Sequence, residues 1–489
     1  MIGPEVTEPS PPAAAGEVAR AVQTGAGWSL INNVVIRLGT LVSGIVLARL
    51  LTPTDYGVYA VALVALTVLL SMNELGVSLA IVRWDHDLRT FAPTVMTLAV
   101  GSSALLYSIC YAIAPSLADL MNAPQATGVL RVLSVVVILD AVGTVPLGIL
   151  TRRFLQARRF VADVSSFALG TTVTILLAIT GSGAMSFAWG RIAGAIVGMV
   201  LIWVFSPIKI RPGWDKVQAR ALISYGLPLA GSSLLILALL DIDYIVVGKA
   251  LGPAQLGFYL MAFSLSSWPV NMFAEAARRV SFAGFSRLAD RPDDFGRSFQ
   301  RGIGLLGAAT VPVCALLVGY AQPLVGVLYG ERWLPAASAL EMLAVLGLLR
   351  VVYFIGYDAL VAVGRSSALI KLQLAWITLL IPALVVGART GGIRGVGLGH
   401  VAVAALAIIP ALFHTLSRHG VRIIAVLKTF ARPLLGGAAI VLASVLVQTR
   451  IQRPIHQLII GGLVSALLYA PVLFSMRAML PTRLRTRRP

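Results

Sequence analysis

The chain has 489 residues, of which 58% are hydrophobic and only 12% are charged, and its mean hydropathy is +0.89. A soluble domain is about one quarter charged, so this composition excludes a water-soluble globular protein and is typical of a chain that folds in lipid. The formal net charge of +19 would suggest nucleic acid in a soluble protein, but in a membrane protein it indicates basic residues kept on the cytoplasmic side, so nucleic acid is not an expected partner.

Residues 1–26 contain four prolines and three glutamates and lack the basic and apolar regions of a signal peptide, so we expect a disordered cytoplasmic tail. Apolar runs long enough to cross the hydrocarbon core, about 20 residues each, then recur along the chain. The sequence predicts an all-α polytopic membrane protein of about fourteen transmembrane helices. The expected spans lie near 27–50, 56–80, 92–114, 128–150, 164–181, 184–205, 221–248, 254–277, 302–329, 335–362, 366–387, 393–414, 432–448 and 457–476.

Basic residues are distributed unevenly between the loops that join these spans. With the N-terminus inside, 28 of the 39 Lys and Arg residues fall in cytoplasmic segments and seven in outer segments, while four lie inside spans. Because positive charge is retained on the cytoplasmic side, this bias indicates a multi-pass inner-membrane protein with both termini in the cytoplasm. Removing one helix would invert every later loop and destroy the bias.

Two short outer turns share a pattern. Residues 51–59 (LTPTDYGVY) follow the first span and residues 251–259 (LGPAQLGFY) follow the seventh, at an offset of 200 residues, with Leu, Pro, Gly and Tyr in common. Two unrelated turns of the same type would also share these residues, so the similarity alone does not establish a repeat. A true repeat divides twelve helices into two sets of six with the same orientation, which predicts two parallel six-helix bundles around a central cavity and alternating access.

This division predicts the domain organisation of the whole chain. Two peripheral C-terminal helices remain outside the repeat. The predicted order is a tail at 1–26, a first six-helix bundle at 27–205, a cytoplasmic linker at 206–220, a second bundle at 221–415, the two extra helices at 416–476 and a basic cytoplasmic tail at 477–489.

Four segments carry a family resemblance. Residues 47–57 (LARLLTPTDYG) resemble the LAR-LL-P-D-[FY]-G signature of Wzx-type polysaccharide and oligosaccharide flippases, which export lipopolysaccharide and exopolysaccharide units, within the multidrug/oligosaccharidyl-lipid/polysaccharide superfamily. Residues 74–82 resemble that family's D-L-G-x-x-x-A-[LI]-V stretch with Glu74 in place of Asp, and 243–252 are similar to its D-x-x-[VI]-[VI]-G-x-x-[LF]-G segment. Residues 280–287 resemble its V-x-F-P-x-[FL]-S-R loop, with alanine in place of proline.

The resemblance covers roughly residues 27–415 and implies a function. The family fold is two six-helix bundles that face a central cavity. The implied activity moves an undecaprenyl-pyrophosphate-linked oligosaccharide or polysaccharide unit from the cytoplasmic to the outer leaflet. The implied partners are this lipid-linked glycan, membrane lipid, and the polysaccharide polymerase and glycosyltransferases of the same pathway. No cofactor is expected.

Charged residues inside the predicted spans are candidate functional residues, because a charge at mid-depth is costly unless it faces water or a counter-charge. An arginine in a cavity can bind pyrophosphate through two hydrogen bonds, and an acidic residue can carry a coupling proton or sodium ion. An Arg–Asp pair that only joins two helices is the structural alternative. The candidates for substrate binding are Arg37, Arg191 and Arg350, and those for ion coupling are Glu74, Asp140, Asp241 and Asp243.

Three other functions compete with the flippase hypothesis. A multidrug or cation exporter on the same fold would use Asp241 and Asp243 in an apolar pocket. A lipid II flippase would differ only in the headgroup of its substrate. A membrane glycosyltransferase or ligase would carry catalytic groups in a large outer loop, but the longest predicted outer loop, about 115–127, has the single charged residue Asp119. The sequence therefore predicts a transporter without catalytic residues, and it predicts no metal site.

Overall fold

A computed structural model of the chain describes residues 15–73, 88–288 and 291–476, and every regular element in these residues is helical. The helices are α1 (Ala15–Leu50), α2 (Pro53–Asn73), α3 (Leu88–Leu120), α4 (Ala126–Leu133), α5 (Val136–Arg152), α6 (Gln156–Ile179), α7 (Met185–Phe205), α8 (Lys216–Leu288), α9 (Pro292–Gly319), α10 (Ala321–Tyr329), α11 (Ala336–Ala362), α12 (Ser366–Val403), α13 (Ile409–Ser417), α14 (Ile423–Arg450) and α15 (Pro454–Ser475). A 3₁₀ turn, Glu331–Trp333, precedes α11, and a π-helical turn, Ala404–Ile408, joins α12 to α13.

Two of these helices double back on themselves. In α8 the backbone breaks at Gly252, and side chains on the two sides of the break meet, as in the hydrogen bond from Tyr259 to Asp243. In α12 the break is at Gly391 and Gly392, and Gly387 packs against the backbone of Gly395. Twelve stretches of the described residues are long and apolar enough to cross a membrane. Counting both arms of α8 and of α12 gives fourteen, as the sequence predicts.

Two predicted segments have different boundaries in the structure. The helix α1 begins at Ala15, so residues 15–26 are helical and not part of a disordered tail. The ninth span, expected at 302–329, begins at Pro292 and ends at Gly319, with the separate helix α10 after it. Proline favours the first helical turn, as do the acidic Asp293 and Asp294 near the positive end of the helix dipole, so this polar segment extends the helix.

The described residues form two compact units. Unit 1 contains those up to Leu50, from Ala62 to Leu117 and from Gln125 to Leu237, and unit 2 contains those in Leu51–Val61, in Ala118–Pro124 and from Ala238 onward. Unit 2 therefore includes two short segments, 51–61 and 118–124, that the sequence assigns to the first bundle. The predicted lobe boundaries at 205 and 221 remain a prediction.

In unit 1, small residues allow α6 and α7 to pack closely. A Cβ atom on Gly170 would lie 2.9 Å from the carbonyl oxygen of Gly190, and the Ser166 hydroxyl donates a hydrogen bond of 2.7 Å to the Gly194 carbonyl. Close backbone approach through glycine and serine is the usual way in which membrane helices associate. A polar contact joins α1 to α6, because Asn32 donates to the Asp163 carboxylate at 2.9 Å.

In unit 2, the two extra C-terminal helices pack against the rest of the unit. The Gln300 side chain of α9 donates to the Thr429 hydroxyl of α14 at 2.7 Å, and Gln448 of α14 donates to the Gly319 carbonyl at 2.8 Å. The helix α15 packs against α9, α10 and α14. These contacts make α14 and α15 part of unit 2. Large side chains such as Leu435 and Leu467 remain more than 70% exposed.

Candidate functional site

The segment 51–57, which carries the strongest family motif, forms a capped helix start. Proline at position 53 is the first residue of α2, where its missing N–H costs nothing. The Thr52 backbone and hydroxyl groups both donate to the Asp55 carboxylate, at 2.9 and 2.6 Å, and the Asp55 backbone N–H donates to the Thr52 hydroxyl at 3.2 Å. This reciprocal capping box satisfies backbone donors that would otherwise be unpaired at the start of the helix.

The two repeated turns pack against each other reciprocally. A Cβ atom on Gly57 would overlap the carbonyl oxygen of Pro253, and a Cβ atom on Gly257 would overlap the carbonyl oxygen of Pro53. The two contacts are equivalent in the sequence repeat, because Gly57 corresponds to Gly257 and Pro53 to Pro253, each at an offset of 200 residues. The repeat therefore has a structural counterpart in which the two turns approach closely enough to require glycine at both contact positions.

Aromatic and polar side chains enclose this contact. The Trp333 indole is fully buried, with its ring centroid 4.9 Å from that of Tyr56 and 5.9 Å from that of Phe258. The Asn122 amide donates to the Lys249 carbonyl at 2.7 Å, and Arg332 donates to the Leu51 carbonyl at 3.3 Å. We call this cluster the glycine clasp; its members are residues 51–58, Asn122, residues 249–258, Arg332 and Trp333.

A second cluster, rich in charge, lies deeper along the same hairpin. The Asp243 side chain is 1% exposed, and its Oδ1 atom accepts the Tyr244 backbone N–H at 2.9 Å. Its Oδ2 atom accepts the Tyr259 hydroxyl at 2.8 Å and lies 3.4 Å from Nε2 of His400, which is also buried. Asp243 precedes the break at Gly252 by nine residues, which is roughly 13 Å along a helix.

Arg350 of α11 belongs to the same cluster. Its guanidinium carbon lies 5.5 Å from the ring centroid of Phe263 and 5.9 Å from that of Phe354, within the range of cation–π attraction. The guanidinium also interacts electrostatically with the Asp243 carboxylate. In α8 the Asp241 carboxylate is half-buried, and its Oδ2 atom receives no hydrogen bond from the described residues. We call Asp241, Asp243, Tyr259, Arg350 and His400 the charged cluster.

The structure brings together only some of the predicted site residues. Asp241, Asp243 and Arg350 meet in unit 2, whereas Arg37, Asp140 and Arg191 belong to unit 1. Arg37 is half-exposed, and both Asp140 and Arg191 are exposed. Glu74 lies outside the described residues. The roles predicted for these residues remain predictions.

Sequence reasoning missed two members of the charged cluster. His400 lies in an apolar run without metal-ligand spacing, and Tyr259 was read only as a position of the repeated turn. The signal for His400 was available, since a histidine inside a predicted span is a polar group in the membrane that needs a counterpart. The signal for Tyr259 depends on the hairpin geometry, which brings a residue seven positions after the break next to one nine positions before it.

Comparison with known proteins identifies relatives in bacterial polysaccharide synthesis. The chain is 24% identical to the lipopolysaccharide biosynthesis protein WzxC of Escherichia coli over 392 residues, which cover 80% of each chain. It is 24% identical to the succinoglycan biosynthesis transport protein ExoT of Rhizobium meliloti over 326 residues, covering 67% of this chain and 66% of that one. It is 21% identical to the teichuronic acid biosynthesis protein TuaB of Bacillus subtilis, with 72% and 73% covered.

Solved structures share the fold at low sequence identity. The lipid II flippase MurJ, in an inward closed conformation, superimposes with a TM-score of 0.73 at 15% identity, covering 92% of this chain and 98% of MurJ. An inward-facing multidrug resistance transporter of the MATE family gives 0.61 at 20% identity, with 78% and 95% covered. The resemblance that the sequence motifs indicated is confirmed: a family profile described as "Polysaccharide biosynthesis protein" matches residues 46–338. Because this match covers more than half of the chain, the chain belongs to the polysaccharide biosynthesis protein family.

Proposed function

We propose that this protein is a flippase that moves a lipid-linked glycan, built on undecaprenyl pyrophosphate, from the cytoplasmic to the outer leaflet of the bacterial inner membrane. The observation that carries the proposal is the charged cluster on a fold shared with a lipid II flippase, in a chain of a polysaccharide family. Buried ionisable groups inside a membrane protein are costly and usually mark the route of a substrate or an ion. Catalysis of a chemical reaction is not part of the proposal.

The arginines are the proposed contacts for the pyrophosphate. A guanidinium stays charged at physiological pH and presents paired donors that match phosphate oxygens, so it binds an anion without exchanging a proton. Arg350 has the strongest support, because cation–π contacts and the nearby Asp243 hold it inside the unit. Arg37 and Arg191 are proposed for the same role from their positions inside the membrane-spanning parts of α1 and α7.

The acidic residues are the proposed carriers of the coupling ion. Asp243 and Asp241 are the main candidates, and Asp140 and Glu74 are weaker ones. An inside-negative potential drives an anionic headgroup outward and a cation inward, and each elementary charge that crosses it is worth about 2.3 kcal/mol per 100 mV. Alternating access between two rocking bundles would use both forces in the direction of export.

The proposed orientation has both termini in the cytoplasm, as the excess of basic residues in alternate loops indicates. Cysteines introduced at Ser116 and Thr390, which are exposed, are expected to react with an impermeant thiol reagent from outside the cell. A cysteine at the equally exposed Arg158 is expected not to react. The opposite labelling would contradict the orientation, and missing label at Thr390 alone would point to a miscount in the second half.

The test of the function is a deletion strain. Loss of the protein is expected to remove surface polysaccharide and to leave the lipid-linked glycan on the cytoplasmic leaflet, where its polymerase cannot reach it. Complementation with the intact chain is expected to restore both. Normal surface polysaccharide in the deletion strain would contradict the proposal.

A second candidate is a multidrug or cation exporter, and one observation favours it. Asp241 is a half-buried carboxylate next to Asp243, an arrangement that suits an organic cation, and a MATE transporter shares the fold. The cationic Arg350 beside this pair argues against it. Drug sensitivity of the deletion strain, with normal polysaccharide, would select this candidate. A lipid II flippase is the third alternative, and arrest of cell-wall synthesis on depletion would select that one.

A further inference from the structure

We propose that His400 and Asp243 form a proton-binding dyad, so that the coupling ion of this transporter is the proton and not sodium. The proposal specifies the coupling ion of the flippase proposed above. Proton binding by the pair is independent of that function, and only its role in driving transport rests on it. The histidine, which the charge pattern of the sequence did not single out, is the new functional residue.

The geometry of the pair suits the binding of a proton. Nε2 of His400 lies 3.4 Å from Oδ2 of Asp243, and both side chains are nearly excluded from solvent. Nε2 makes no hydrogen bond to the described residues. A neutral imidazole already carries one N–H, and a second proton turns the ring into an imidazolium cation that the buried carboxylate attracts. The dyad therefore offers a site for one added proton. Transfer breaks the bond of that proton to nitrogen and forms one to oxygen, or the reverse.

The same geometry disfavours sodium. A hard cation is bound by several oxygen ligands that point lone pairs at it. Here Oδ2 of Asp243 already accepts the Tyr259 hydroxyl at 2.8 Å and faces the imidazole, while Oδ1 accepts the Tyr244 backbone N–H at 2.9 Å. Two hydrogen-bond donors therefore already occupy the carboxylate, and the imidazole nitrogen lies where a sodium ion would need an oxygen ligand.

The charges that face the dyad come from each helix packed around it. Among the described residues these groups are Asp241 and Tyr244 on the first arm of α8, Tyr259 on the second arm, and Arg350 on α11. With His400 protonated, two carboxylates balance two cations. With His400 neutral, the cluster carries one negative charge, so protonation changes its field on Arg350, the proposed anion-binding residue.

The backbone next to His400 is irregular. The π-helical turn Ala404–Ile408 begins four residues later, and the Ala404 N–H donates to the His400 carbonyl. Such turns are rare, and they frequently occur at functional sites. The imidazole thus lies one helical turn from the place where α12 departs from α-helical geometry, and a change in its charge acts next to a junction between two helical segments.

The test measures ion binding without any glycan. Thermal unfolding of the purified full-length protein is followed in detergent between about pH 5 and 8, the range in which histidine titrates, with sodium or choline as the only added cation. We expect the unfolding temperature of the wild type to depend on pH and to be unchanged by sodium. H400Q keeps a donor near Nε2 but cannot titrate, so it is expected to lose this pH dependence.

Matched variants separate the dyad from general effects. H414Q changes an exposed histidine of the neighbouring helix and is expected to keep the wild-type pH profile. D243N removes the other half of the dyad and is expected to flatten the profile as H400Q does, which keeps the test valid if H400Q does not fold. Stabilisation of the wild type by sodium, or a pH profile that neither variant alters, would overturn the proposal. Either result is independent of the polysaccharide phenotype. The flippase function is tested separately by the deletion strain.

Discussion

The glycine clasp and the charged cluster share the α8 hairpin, where Asp243 precedes the break at Gly252 by nine residues and Tyr259 directly follows the clasp, yet they are built in opposite ways. In the clasp, backbone meets backbone across Gly57 and Gly257, and aromatic rings fill the remaining space. In the charged cluster, the contacts are between ionisable side chains, and one buried carboxylate oxygen receives no hydrogen bond from the described residues. The clasp satisfies its polar groups locally, whereas the cluster retains groups that can change charge.

The difference shows that the residues that identify the family are mostly not the residues proposed to act in transport. The motif at 47–57 is the most distinctive stretch of the chain, and its conspicuous residues cap a helix or permit close packing. Proline, aspartate and glycine at these positions meet the geometric requirements of the turn, so they give little information about the substrate. Among the residues that the structure describes, Asp243, at the start of the second-half motif, connects a family signature to the charged cluster. We therefore expect substitutions in the clasp to reduce stability and substitutions in the charged cluster to reduce transport.

The largest effect is expected in the clasp. Gly57→Ala and Gly257→Ala each force a methyl group into a carbonyl oxygen, and neither backbone can retreat without breaking the reciprocal contact. We expect each variant to lose about 3 kcal/mol or more of stability, at the upper end of overpacking penalties, and to be poorly recovered from membranes. Gly143→Ala is the matched control, because this buried helical glycine has no atom within 4 Å of the new methyl group. Equal recovery of all three variants would show that the clasp is not closely packed in the membrane.

Asp243→Asn is expected to give the opposite result. The amide oxygen still accepts the Tyr259 hydroxyl, the Tyr244 N–H loses its acceptor, and the side-chain volume is unchanged, so the protein should accumulate in membranes at slightly below the normal level. Surface polysaccharide should fall to near the level of the deletion strain, because the proposed proton site is gone. Quantification of both protein and polysaccharide in the complemented deletion strain tests this separation. A variant that is degraded instead would place Asp243 with the structural residues.

Arg350→Gln is expected to reduce binding of the lipid-linked pyrophosphate by about 10- to 100-fold, since a hydrogen bond to a charged group is worth about 1.5–3 kcal/mol. Arg350→Lys should recover part of this loss, because it restores the charge but not the planar fork. The control is Arg394→Gln, which removes a mostly exposed partner of Glu341 on the surface of unit 2. Titration of purified protein with lipid-linked glycan measures all three. Wild-type affinity with a lowered unfolding temperature in Arg350→Gln would assign this arginine to folding alone.

The smallest effect is expected at a histidine outside both regions. Burial and the nearby Arg365 lower the pKa of His419. The unfolded chain therefore takes up this proton at a higher pH than the folded chain, and stability is lost as the pH falls below the ordinary histidine pKa of about 6.5. His419→Gln should reduce this loss slightly and leave transport unchanged. Thermal unfolding near pH 5.5 and 8 measures the difference, and an effect as large as that of H400Q would weaken the assignment of the dyad.

Hydrophobic length and charge bias predicted the helices well, because each span must satisfy its backbone internally and be long enough to cross the lipid. The same reasoning misplaced the ninth span. A polar helix start such as 292–301 does not resemble a membrane segment. Gly319, at which α9 ends, is one of 46 glycines in the chain and does not by itself predict a break. Single-sequence reasoning found Asp243 and Arg350 as mid-depth charges. It could not pair Asp243 with His400, which comes from a helix more than 150 residues away and is neutral in any count of charge.

The measurement that tests the central claim most directly uses proteoliposomes that contain the purified protein and the lipid-linked glycan of its own pathway. An impermeant reagent that oxidises sugars reports how much glycan changes leaflet when a proton gradient is imposed. We predict gradient-driven movement with the wild type and with H414Q, and none with D243N or H400Q at equal amounts of folded protein. Movement that is equal in all four proteins would contradict the dyad. No movement with the wild type, combined with export of an organic cation, would contradict the flippase account itself.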